Sequence, residues 1–238
     1  MTADAVPLDR RQRRRQETIE EVLDIAVEIM TEQGVAGLSI GEVARRMGIR
    51  PPSLYVYFPS KEAIYDAVFH RGAQGVLEHI RERTAHLETH DGSLHEILLI
   101  AGEALVRWSV EHPAYTQMLF WRPVPGFIPS AQAYQPAVEL VEFSLNQLRA
   151  LQQRGLIRAD ADLDDVFRDW TVLGSGIVSQ QMSNAPDHTY DQGPFTTRLP
   201  ALVAMFCQHY GAPSAASSPS TSSSSSTSTR GTRNARKR

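Results

Sequence analysis

Cysteine is nearly absent: Cys207 is the only one in 238 residues. One thiol excludes an internal disulfide and is too few for a thiolate zinc site, so the sequence predicts a reducing compartment. Long apolar runs are missing as well. Nothing approaches the roughly 18 apolar residues that a membrane helix needs. Residues 1–6 lead into arginines rather than into an apolar signal stretch. The expectation is a cytoplasmic chain, nucleoid-associated when bound to DNA, with no membrane partner. Strand alternation is absent. So are Gly-x-Ser-x-Gly, His-Glu-x-x-His and the Gly-x-x-x-x-Gly-Lys-Ser/Thr phosphate loop. Ser, His and Asp occur without any spacing that ties them together, so no enzyme, cofactor or metal is expected.

What is present is ordinary in amount and uneven in placement. Apolar residues make up 42% of the chain and charged ones 21%, enough for a core in one or two domains. The net charge of −3 conceals three regions. Residues 1–61 balance, with Arg10, Arg11, Arg13, Arg14 and Arg15 in front, Arg45, Arg46, Arg50 and Lys61 behind, and acids between. Residues 62–211 are strongly acidic, and residues 212–238 carry basic groups and no acid. Two local basic sets on an acidic body keep nucleic-acid binding open.

Apolar spacing is helical almost throughout. Ile19, Val22, Leu23, Ala26, Ile29 and Met30 mark a first helix that Gly34 closes. Ser39 and Glu42 make a capping box ahead of a helix over 40–47. Pro51 opens another that is expected to reach Phe58. Longer helices are predicted over 61–87, 93–111, 114–121, up to Arg154, over 163–184 and over 195–210, about nine in all. The Ser-rich stretch from Ala212, with its basic end at Arg230–Arg238, cannot build a core and reads as disordered.

Leu38 to Ile64 carries the function. Two short helices joined by a turn containing Gly48, the second pre-organised by proline, form a helix-turn-helix. On a 100° wheel Leu54 and Phe58 turn inward toward Val43, Ala44, Met47 and Ile49. Pro52 and Val56 fall on the opposite face, flanked by Ser53 and Tyr55. That face has no acid and suits a major groove, with Pro52 and Val56 against thymine methyls and Ser53 hydrogen-bonding. Ser39, Tyr55, Tyr57 and Lys61 can reach phosphates, and Arg50 and Pro51 open the recognition helix. The arginines at 10–15 can act as an arm into a flanking minor groove.

The run Leu38-Ser-Ile-Gly-Glu-Val-Ala-Arg-Arg-Met-Gly-Ile-Arg-Pro-Pro-Ser-Leu-Tyr-Val-Tyr-Phe-Pro-Ser-Lys-Glu-Ala-Ile64 strongly resembles the DNA-binding signature of TetR-family transcriptional regulators. The motif-level resemblance covers about residues 14–70. Arg50 stands where the family often has a capping Ser or Thr, so a side-chain cap there is not expected. The resemblance implies an all-α chain divided into a basic arm (1–13), a helix-turn-helix domain (14–60), a ligand-binding and dimerisation domain (61–211) and the tail (212–238). It implies a ligand-released repressor that binds a palindromic double-stranded DNA operator as a homodimer. The last two long helices, with Trp170, Val172, Ile177, Leu199, Leu202, Val203 and Phe206, are the expected dimer surface. Trp108, Tyr115, Met118, Phe120, Trp121, Phe143 and Trp170 are the candidate lining for a small, mainly apolar effector. Two other readings stay open on the residues alone. One is an all-α small-molecule binder or enzyme without operator specificity, and the other a non-specific nucleoid-type DNA binder.

Overall fold

A computed structural model describes residues 9–88 and 91–213. Met1 to Leu8 of the expected arm, and the Ser-rich basic tail from residue 214, lie outside the described residues. The described chain is all helical: α1 (Arg10–Gln33), α2 (Ile40–Arg46), α3 (Pro51–Leu54), α4 (Lys61–Thr84), α5 (Leu94–Glu111), α6 (Pro113–Phe120), α7 (Ala131–Gln153), α8 (Leu163–Asn184) and α9 (Leu199–Tyr210). No strand occurs among the described residues, only an isolated antiparallel bridge between Ile157 and Gly211. Nor is any helix there long and apolar enough to cross a membrane.

Of the expected Ser39–Glu42 capping box only the serine half forms, because Arg45 and Arg46 take the Glu42 carboxylate. Ser39, Ser60, Ser93 and Ser130 each accept a hydrogen bond from the backbone N–H three residues on, and Asp162 does the same for α8. These bonds satisfy donors that the first helical turn leaves without partners. Gly48, at φ +68°, takes the left-handed conformation that lets α2 turn into α3.

Three boundaries differ from expectation. The recognition helix is one turn long, Pro51–Leu54, because Tyr57 N–H closes an i to i+3 bond on Leu54 and Pro59 bars helical dihedrals at Phe58. Helix α1 begins at Arg10, so Arg10 to Arg15 ride on its first two turns instead of a free arm. The final helix also starts later than Phe195, after a 3-10 turn over Thr196–Arg198, with Pro200 in its first turn where no N–H is needed.

Packing divides the molecule differently from its motifs. The N-terminal core joins Val22, Ala26 and Ile29 of α1, Val43 and Ala44 of α2 and Leu54 of α3 to Ile64, Tyr65 and Val68 of α4. Ala114 and Met118 of α6 close the same core. The second core lies among α5, α7, α8 and α9, around Val106, Leu148, Val166, Leu199 and Val203. Helix α4 therefore belongs to both halves, and its length of about 36 Å spans them. Tyr65 donates from its buried hydroxyl to the Val35 carbonyl (3.0 Å), and Arg71 pairs with Asp24 (2.6 Å), tying α4 to the α1 region.

Where α6 crosses α4, Gly72 leaves room for the Tyr115 ring: a Cβ at that position would sit 2.7 Å from Tyr115 Cδ1. One turn on, a Cβ at Gly75 would meet Trp108 at an ordinary 3.5 Å. Gly72→Ala is expected to destabilise the fold by about 1–3 kcal/mol through overpacking. Gly75→Ala should be neutral or stabilising by up to about 1 kcal/mol from helix propensity. Urea midpoints of the two variants check this. Equal midpoints would show that the α4–α6 crossing is not tight.

Candidate nucleic-acid interface and apolar cavity

The helix-turn-helix is held at its base by one guanidinium. Arg46 on α2 donates to Glu42 (3.0 Å) and to both oxygens of Glu32 on α1 (3.1 and 2.5 Å), with Glu28 at 3.7 Å. Arg45 forks onto the same Glu42 (2.8 and 2.7 Å). Hydrogen bonds from Arg45 and then Arg46 pull the Glu42 carboxyl down to about 2, and Arg46 lowers Glu32 as well. Arg46, one of the basic residues that the sequence sets beside the motif, thus spends its donors inside the domain, while the exposed Arg45 pairs with Glu42 of its own helix. Arg50 and Lys61 form no ion pair among the described residues; Lys61 helps lower the neighbouring Glu62 carboxyl and lies over the Tyr65 ring at 5.5 Å.

The wheel assignment of the motif agrees with observed burial. Leu54 and Phe58 are buried, as are Val43 and Ala44, with Met47 and Ile49 half-buried around them. Pro51, Pro52, Ser53 and Arg50 are exposed, as are Tyr55 (51%) and Val56 (68%). A valine left that open beside a tyrosine forms an apolar, acid-free surface that water alone does not favour. Arg50 gives its helix no side-chain cap. Ser39 accepts at its oxygen from Glu42 N–H (3.1 Å) and, being exposed, keeps its proton to donate outward. At the start of α4, Glu62 has its carboxyl pKa lowered by its own backbone N–H and the Ser60 hydroxyl. An anion of the protein's own thus already answers part of that helix end.

Arg15 is a residue the motif did not single out. Its guanidinium covers the half-buried Tyr57 ring at 5.3 Å and reaches the Val56 carbonyl at a long 3.5 Å. The arginine run shows that charge lies near residue 15. Only the docking of α1 shows which arginine meets the recognition segment.

The candidate effector residues divide. A cavity of about 370 Å³ lies between α4, α5, α7 and α8, and Phe120, Phe143 and Trp170 line it. Trp108, Tyr115, Met118 and Trp121 do not. Trp108 is buried against Val76 and Ile80 and stacks on His112 (4.6 Å); Tyr115 fills the Gly72 gap; Met118 belongs to the N-terminal core. Trp121 is partly exposed at the end of α6. The walls missed from sequence are aliphatic, such as Val76, Ile80, Leu98, Leu140 and Leu148, and they carry no signal that separates them from plain core. No charged side chain lines the cavity. The expected dimer residues divide likewise. Ile177, Leu199, Val203 and Phe206 are buried in their own protomer and Trp170 faces the cavity, whereas Val172 (69%) and Met205 (64%) are exposed beside the half-buried Leu202.

Residues 22–68 match the family model described as bacterial regulatory proteins, tetR family. The HTH-type transcriptional regulator YobS of Bacillus subtilis is 27% identical over 94 residues, 40% of this chain and 47% of that protein. The chain thus aligns with about half the length of that relative. A regulatory protein in the tetR family from Rhodococcus RHA1 shares the fold with a TM-score of 0.62 at 15% identity, over 83% of this chain and 99% of that one. A candidate transcriptional regulator from Saccharomonospora viridis, solved in complex with choline, does so with a TM-score of 0.63 at 17% identity, over 83% and 100%.

Two outcomes follow from the charges. A carboxyl depressed in the folded state contributes stability above its ordinary pKa and loses it as pH falls through the folded value. For Glu42 that window runs from 4.5 down to about 2. The melting temperature of the wild type should exceed that of Arg46→Ala at neutral pH, and the gap should close across this window; a gap that persists at pH 2 refutes the clamp. Lys61→Ala should weaken binding to all DNA sequences alike. It should flatten the log K against log salt slope by about 0.9 per protomer, hence about 2 for a dimer. An unchanged slope removes Lys61 from the interface.

Proposed function

The N-terminal helices belong to the tetR family of bacterial regulatory proteins, and from that premise we propose that the whole chain is a ligand-released transcriptional repressor. It binds a palindromic DNA operator as a homodimer and is controlled by a small, mainly apolar effector. The observation that carries this reading is one of continuity. An exposed, acid-free face of Pro52, Ser53, Tyr55 and Val56 stands on a core whose α4 residues continue, on the same helix, into the wall of an apolar cavity.

Each part has a physical role. Ser53 and Val56 read base edges, by hydrogen bond and by methyl contact. Ser39, Tyr55, Tyr57 and Lys61 hold phosphates and set the register. Arg50 and Pro51 place the start of the recognition turn. Val172, Leu202 and Met205 pair with a second copy about a two-fold axis, which sets two recognition helices about 34–36 Å apart, one turn of DNA. Ligand in the cavity displaces α4 and changes that spacing. A typical coupling of about 1–3 kcal/mol weakens operator binding about 5–150-fold. A neighbour of the same fold holds choline; the uncharged walls here favour an apolar compound instead.

Selection of bound DNA from a random pool tests the reading. A palindrome should emerge, Ser53→Ala and Val56→Ala should relax preference at particular bases, and Met205→Asp should yield monomers by light scattering with weakened operator binding. Leu54→Ala should instead unfold the motif, at a loss of about 2–5 kcal/mol. No enriched sequence, or base preferences unmoved by both face variants, would refute operator recognition through this face.

A further inference from the structure

The first two turns of α1 stand clear of the core: residues 9–17 are all exposed. Their polar and ring contacts stay within the helix, with one exception. The Asp9 N–H donates to Gln12, Arg13 pairs with Glu17, Gln16 donates to Glu20, and the Arg14 carbonyl accepts from Thr18. Among the described residues of this stretch, Arg15 alone crosses to another element. Its guanidinium lies over the Tyr57 ring at 5.3 Å and reaches the Val56 carbonyl at 3.5 Å, 41 residues along the chain. Position on the helix singles it out from the five arginines of the run. Arg15 precedes the half-buried Ile19 by four residues and the buried Val22 by seven, so it shares their stripe of α1. Arg11 carries the same charge one turn earlier on that stripe, whereas Arg10, Arg13 and Arg14 fall about 100° or more away.

The recognition segment needs a contact at that point. Helix α3 ends at Leu54, whose carbonyl takes both the Tyr57 and the Phe58 N–H. Tyr55, Val56 and Tyr57 therefore stand past the last helical turn, between the buried anchors Leu54 and Phe58. The residue placed to close a turn onto the Val56 carbonyl is Pro59, which has no N–H to donate. Among the described residues no backbone N–H bonds that carbonyl. Arg15 supplies a donor and a positive charge in its place. The carbonyl belongs to the planar peptide that joins Val56 to Tyr57. A cation held at its oxygen and over the next ring fixes the plane, and the plane sets the directions in which both side chains leave the backbone. Attraction of a guanidinium to the face of a tyrosine persists at exposed sites.

We propose that Arg15 is a positioning residue for base reading: it braces the Val56–Tyr57 peptide and so holds the Val56 methyls toward the base edge that they read. This deepens the proposed function and rests on its assignment of Val56 to the reading face. Part of the sequence preference is thereby set from α1, by a residue that lies outside the helix-turn-helix and touches no base.

Selection of bound DNA from a random pool, run with the full-length protein and its variants, tests the proposal, with Val56→Ala and Ser53→Ala as references. Arg15→Met keeps helix propensity and side-chain length but removes the charged fork. It should relax preference at the base positions that Val56→Ala relaxes, by about two- to fivefold per half-site. The positions that Ser53→Ala relaxes should stay as they are. Tyr57→Leu takes the ring away from the other side and should relax the same positions as Arg15→Met. The double variant should relax them no further, because both changes remove one contact. Arg11→Met deletes an equal charge one turn away and should leave every base preference as in the wild type. Three results overturn the brace: Arg15→Met leaving the Val56 positions intact, Arg11→Met relaxing them equally, or the double variant relaxing them further. In each of these the reading face of the proposed function still stands. If Val56→Ala itself moves no base preference, that reading face fails and the brace with it.

Discussion

One helix has to satisfy two cores at once. The first half of α4 supplies Ile64, Tyr65, Val68 and Phe69 to the packing that holds the helix-turn-helix, and its second half supplies Val76 and Ile80 to the cavity wall. Because packed interiors have few voids and adjust in discrete rearrangements, a shift at one end of such a rod cannot be absorbed locally. The short contacts along it narrow its freedom further. Gly72 receives the Tyr115 ring, Arg71 holds Asp24, and Asp66 accepts from both the backbone N–H and the hydroxyl of Ser130 at the head of α7 (2.7 Å each). Helix α6 sits over this junction and touches the N-terminal core through Ala114 and Met118. The seam between the helix-turn-helix half and the cavity half is thus a continuous packed region and not a linker.

Electrostatics in the N-terminal domain are arranged to save the outer face for recognition. Arg46 and Arg45 pair with Glu28, Glu32 and Glu42 around the base of α2. What projects outward is Arg50 and the arginines at the head of α1, with Lys61 half-buried. In the proposed function such charges set a salt-dependent, sequence-independent part of DNA affinity, and Pro52, Ser53 and Val56 the sequence-dependent part. The acidic body discourages indiscriminate adsorption to a polyanion, so few phosphate contacts suffice to orient the reading face. Arg15 links the two roles, with its charge over Tyr57 and its reach to the Val56 carbonyl.

The second half of the molecule also meets a conflict between burial and exposure. Helices α8 and α9 close the core with Val166, Ile177, Leu199 and Val203 while leaving Val172 and Met205 open. Tyr210 donates to Asp169 (2.5 Å), which ties the two helices together and raises the phenol to about 12. Arg107 clamps the loop between them by pairing with Asp191 (2.8 Å) and stacking over Tyr190 (4.2 Å). With the pair held rigid by its own contacts, the apolar residues on its far side form a preset surface. A preset surface would spend less ordering entropy in the proposed homodimer.

Local chemistry was enough to read much of this from the chain. The Ser39 cap and Pro51 place two helix starts, the i, i+3, i+4 pattern of α1 gives its buried face, and the angular separation of Leu54 and Phe58 from Pro52 and Val56 divides core from the outer face. These depend on neighbours within four residues, and the backbone repeat supplies the geometry. Tertiary structure decided the rest. It turned Arg46 toward Glu32 of α1, chose Arg15 to meet Tyr57, and sorted the aromatic candidates, sending Phe120, Phe143 and Trp170 to the cavity but Trp108, Tyr115 and Met118 to core. An aromatic or aliphatic side chain on a buried face looks the same in sequence whether it meets another side chain or an empty channel. The difference lies in what stands opposite, and that is set by how distant helices cross.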